Sequence, residues 1–121
     1  PNIHIKDMVK SYLVLLKAPQ KLIAGETFNV GFKNNTVLSL AKKVRKIIGS
    51  DVKLVKVPSN DNRSYHISSR KISRKLGFVP SNTIDAAIKE LKLAFIKRKL
   101  KKPLSSEYYF NIKRMQSVNL K

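Results

Sequence analysis

Between residues 61 and 78 the sequence reads DNRSYHISSRKISRKLGF, which sets an Asp, an Arg, a Tyr, a His and three Ser within nine positions. A carboxylate beside an imidazole could move a proton, and a Ser beside a His could be a nucleophile. Neither arrangement is spelled out by the spacing. His66 lies between Tyr65 and Ile67 in a strand-like run, which suits a structural imidazole better than a general base. Ser64, Ser68 and Ser69 have no base at a fixed offset, and helix capping accounts for one of them. For Arg63 two readings stand side by side on the residues themselves, a surface pair with Asp61 and a phosphate contact through its planar guanidinium.

A second cluster is purely cationic. KRKLKK, Lys97 to Lys102, follows the last long apolar stripe, and Lys42, Lys43 and Lys46 lie on the outer face of an earlier helix. Lys42, Lys43, Lys46, Lys97, Arg98, Lys99, Lys101 and Lys102 could neutralise phosphates of a nucleic acid or another polyanion. A solvated helix end is the plain reading of the same run. Aromatic platforms for stacked bases are not evident, because Phe95 has core spacing and Tyr108 to Phe110 come after a proline.

Across all 121 residues, 26 Lys and Arg stand against 7 Asp and Glu, a net charge of +19. That is beyond the magnitude of about 2 to 8 usual for a small domain, and such self-repulsion favours an anionic partner. The absence of Cys excludes disulfides, thiolate metal sites and cysteine nucleophiles. No apolar run approaches the roughly 18 residues of a membrane span and no signal-peptide pattern opens the chain, so a soluble, cytoplasmic protein without a membrane partner is expected.

The elements that must position these groups follow from periodicity and punctuation. Met8, Val9, Tyr12, Leu13 and Leu16 recur at helical spacing, which predicts a helix from Asp7 to Lys17 with Asp7 as its cap and that stripe inward. ETFNVG, Glu26 to Gly31, predicts a strand. A helix capped within Asn34-Asn35-Thr36 then runs to Gly49, with Val37, Leu40, Ala41, Val44, Ile47 and Ile48 inward. VKLVKV, Val52 to Val57, predicts a second strand, and the two with their intervening helix suggest a parallel pair. Tyr65 to Ile67 adds a brief strand. Ser68 or Ser69 caps a short helix through Leu76, where Gly77 takes the left-handed position and Phe78 folds back. Asn82-Thr83 caps the last long helix, with Ile84, Ala87, Ile88, Leu91 and Phe95 inward. One domain over 1–121 is expected, α/β in class, with short parallel strands and three to four helices; 97–121 forms a basic helix end and tail.

Four segments in order carry a family likeness: PNIHIKDMVKSYL, ETFNVGFKNNTVLSLAKKV, DNRSYHISSRKISRKLGF and YFNIKRMQ. Together they resemble the C-terminal region of NAD-dependent epimerase/dehydratases, the extended short-chain dehydrogenase/reductase family that acts on nucleotide sugars. The resemblance implies a small substrate lobe that closes over a nucleotide sugar held beside NAD. It further implies that Arg63 reaches the diphosphate, with Asn2 and Tyr65 beside the substrate. The family's Gly-rich loop and Tyr-x-x-x-Lys pair have no counterpart here, which leads to the expectation of a fragment that binds no cofactor alone and is not catalytic in isolation. Its implied partner is a nucleotide-binding lobe on the same or a separate chain. From a different class, the same residues read as a non-enzymatic basic protein held in a nucleic-acid or other polyanionic assembly.

Overall fold

A computed structural model describes residues 1–58 and 64–120. Among them the chain is helical: α1 (Ile5–Lys17), α2 (Gln20–Ile23), α3 (Val37–Ile48), α4 (Arg70–Leu76), α5 (Ile84–Ile96), a 3₁₀ turn (Glu107–Tyr109) and α6 (Asn111–Ser117). It falls into two compact units, Pro1–Lys89 and Glu90–Lys121.

The expected α/β class with short parallel strands is therefore incorrect. The described residues contain no sheet; extended pairing is confined to one antiparallel bridge between Asn2 and Lys33. The three expected strands at 26–31, 52–57 and 65–67 form no ladder. A strand is stable only when neighbours take up its backbone groups, and here side chains take up several of them. Asn34 brackets Ile67 with its carboxamide, donating from Nδ2 to the Ile67 carbonyl (3.0 Å) and accepting from the Ile67 N–H (3.3 Å). The Ser69 hydroxyl brackets Gly31 in the same way, accepting from its N–H (2.8 Å) and donating to its carbonyl (3.0 Å). Residues 26 to 30 keep the alternation of a strand, with Glu26, Phe28 and Val30 turned in, but it packs against no sheet neighbour. In VKLVKV, Leu54, Val55 and Val57 are all exposed, so its period-two signal meets no second layer.

The described residues form six helices where three to four were expected, α2 and α6 lying in segments read as a loop and a tail, while α3, α4 and α5 follow the sequence closely. Thr36 caps α3 by accepting from the Ser39 N–H, and Thr83 accepts from the Ala86 N–H at the start of α5. At the end of α4, Gly77 adopts a left-handed conformation (φ 65°), its N–H bonds the Ser73 carbonyl, and Phe78 folds back until only 2% exposed. Phe78 and Ile72 are the fully buried apolar side chains of the described residues. Ser69 is the N-cap residue of α4 but makes no side-chain cap bond, its hydroxyl being committed to Gly31.

α1 differs most from expectation. It begins at Ile5, with His4 as N-cap accepting from the Lys6 N–H through Nδ1. Its fully buried side chains are polar, His4, Asp7 and Ser11, with Met8, Val14 and Leu15 half-buried. Of the stripe expected inward, Val9, Tyr12, Leu13 and Leu16 lie outward together with Ile5, Tyr12 being 62% and Leu16 82% exposed, whereas Met8 is half-buried. The helix is amphipathic as predicted, and turned over.

Candidate functional site

The inversion of α1 is set by Asp7. Its carboxylate is fully buried and accepts four hydrogen bonds from one dipeptide: the Ser81 N–H (3.1 Å), the Ser81 hydroxyl (3.3 Å), the Asn82 N–H (2.8 Å) and the Asn82 carboxamide (2.9 Å). Burial works to raise the Asp7 pKa, but the bonds from Asn82 and Ser81 together outweigh it and hold the carboxyl below its ordinary value. Asp7 also occupies the first turn of α1, where the helix dipole favours negative charge. A carboxylate with its acceptor capacity filled this way is a latch. It fastens α1 to the loop before α5.

A second carboxylate organises α4. The sequence RKISRKL places Lys71 and Lys75 one turn apart, and both clamp Glu26. Hydrogen bonds from Lys71, then Lys75, push the Glu26 carboxyl down to about 2. Lys71 also lies over the Phe28 ring, 5.2 Å from its centroid. Arg70 and Arg74 point to a neighbouring face of α4 and line a cleft with Gly31, Phe32, Phe78, Val79 and Pro80. The sequence reading passed over this arginine pair, although its i, i+4 spacing was visible.

Of the residues proposed for a substrate, Asn2 and Tyr65 fall within the described residues. Asn2 is part of the framework: its Oδ1 accepts from the Asn35 N–H and side-chain amide, and its backbone pairs with Lys33. Tyr65 is 67% exposed and His66 is exposed. Arg63 and Asp61 lie outside the described residues.

The cationic candidates divide. In the first unit Lys43 pairs with Asp85 at 3.0 Å, while Lys42 and Lys46 are exposed. In the second unit Lys97, Arg98, Lys99, Lys101 and Lys102 are all exposed, and none is paired with a described carboxylate. The end of α5 explains their presentation. The Arg98 N–H bonds the Phe95 carbonyl and the Lys99 N–H bonds the Ala94 carbonyl, a closing pattern that puts Arg98 at the left-handed position where glycine is usual (φ 49°). Lys102 has the same left-handed φ. A side chain there costs backbone energy that glycine would avoid, and the result is a tight turn that spreads five cations to solvent.

Among the described residues no group of three or more His, Asp or Glu side chains could hold a metal ion, and no helix is long and apolar enough to cross a membrane. No protein-family model matches the chain, and no solved structure matches it.

Proposed function

We propose that this chain is a helical substrate-side lobe of a nucleotide-sugar epimerase or dehydratase of the NAD-dependent type, completed by a nucleotide-binding half on the same or another chain and inactive without it. The observation that carries this reading is the inverted helix α1, which buries Asp7 and Ser11 while presenting Ile5, Val9, Tyr12, Leu13 and Leu16. An apolar face of that length is a docking surface. Lys10 and Lys17 on the same helix call for an acidic rim on whatever covers it. The four sequence segments and their order supply the family, and Arg63 supplies the proposed diphosphate contact. On this reading NAD belongs to the other half.

Two measurements test it on the chain as it stands. Calorimetric titration of NAD is expected to show no binding; an affinity near about 1 μM would overturn the proposal. Replacing Tyr12 and Leu16 by Gln is expected to leave stability within about 0.5 kcal/mol, because both side chains face solvent until the other half covers them. A loss of about 2 kcal/mol or more would make the stripe part of this lobe's own core and remove the argument for a second half.

The turn at Lys97 to Lys102 supports a second reading, a basic protein bound to nucleic acid. Its five cations are exposed and unneutralised, which suits attraction to a phosphate backbone without base readout.

A further inference from the structure

The cleft beside α4 has a volume of about 480 Å³, within the range of about 300 to 1,000 Å³ typical of small-molecule sites. One wall is apolar, built from Phe32, Phe78, Val79 and Pro80; the other carries Arg70, Arg74 and Ser73. The charge on that second wall is unbalanced for a reason visible in α4. Its four cations form two i, i+4 pairs on adjacent faces, and Glu26 neutralises only Lys71 and Lys75. No described carboxylate is paired with Arg70 or Arg74. Two guanidinium groups one turn apart therefore share a cleft without a counter-ion.

We infer that this cleft binds a phosphate monoester bearing a flat ring, the chemistry of a nucleoside monophosphate. Paired guanidinium groups match phosphate oxygens bidentately, so Arg70 and Arg74 take the phosphate. The volume exceeds what a bare anion fills, and the wall of Phe32, Val79 and Pro80 receives the ring. The site uses residues other than Arg63 and lies within the first unit, so it needs no second half of the protein and stands or falls separately from the function proposed above.

The test is titration of the full chain, at about 0.15 M salt to screen non-specific attraction, with uridine monophosphate, phenyl phosphate and inorganic phosphate in turn. Uridine monophosphate is expected to bind with a Kd below about 1 mM and about tenfold or more tighter than inorganic phosphate. Arg70→Lys with Arg74→Lys keeps the charge and loses the fork geometry, so it should weaken that binding by about tenfold. Lys97→Gln, Arg98→Gln and Lys99→Gln together should leave it within about twofold, since the turn they form is not part of the cleft. Circular dichroism of each variant confirms the helix content. Inorganic phosphate binding as tightly as the ester, or the double Lys variant binding like the parent, would overturn the site. Phenyl phosphate binding about tenfold tighter than the nucleotide would overturn the assignment of the ring.

Discussion

Residues 1–89 and 90–121 are both strongly basic, yet they handle their charge in opposite ways. In the first unit carboxylates act as fasteners: Asp7 holds the Ser81-Asn82 loop, Glu26 holds two lysines of α4, and Asp85 holds Lys43. The second unit has nine Lys and Arg against two Glu, and one of those, Glu107, is paired with Arg114 at 2.6 Å. Its basic turn is left bare. The contrast teaches that net charge alone says little about use. A cation gripped by a buried or doubly bonded carboxylate contributes to folding, whereas a run of cations set out on a left-handed turn is available to a partner.

The largest expected effect attacks the fastening itself. Asp7→Ala should cost about 3 kcal/mol or more in urea unfolding, because the Ser81 and Asn82 donors are left buried without an acceptor. Hydrogen exchange should show the loss concentrated in α1 and the start of α5. A cost below about 1 kcal/mol would mean the latch is not what orients α1.

A smaller effect is expected from the bare turn. Replacing Lys97, Arg98 and Lys99 by Gln should lower the log-log salt slope of binding to single-stranded RNA by about 2 to 3, with the first unit's stability unchanged. Arg98→Gly separates charge from geometry: it should raise stability by about 1 kcal/mol by relieving the left-handed strain, while removing one phosphate contact. A salt slope that does not respond to the triple change would place RNA attraction on the first unit and erase the contrast.

The smallest effect concerns pH. The carboxyl of Glu26 ionises with a pKa of about 2, against an ordinary value of 4.5. A carboxylate whose pKa is depressed by folding gives stability that is fully present above 4.5 and is lost as pH falls towards 2. Acid titration should therefore loosen the contact between α4 and residues 26 to 28 within that window, and Glu26→Gln should remove this part of the acid response. Asp7 adds to the loss in the same direction, since its pKa also lies below the ordinary value. An acid response identical in the Gln variant would show that the two lysines contribute nothing to stability through Glu26.

Local chemistry was enough to place three of the helices. Thr36 and Thr83 as caps, Gly49 and Gly77 as stops, and the break after Ile96 are decided within a few residues, so the sequence determined where α3, α4 and α5 begin and end. It also determined the excess of positive charge and its concentration at 97–102. What it did not contain was the environment of each face. The stripe on α1 reads as a core face because apolar residues ordinarily turn inward, but Asn82 lies 75 positions from Asp7. Only the folded chain brings four donors to that carboxylate, and satisfying a buried charge outranks burying a few methyl groups. The strands failed for a related reason. Period-two alternation reports a segment's capacity to pair, whereas a ladder needs a neighbour at the right distance, and tertiary structure gave Gly31 and Ile67 the side chains of Ser69 and Asn34 instead.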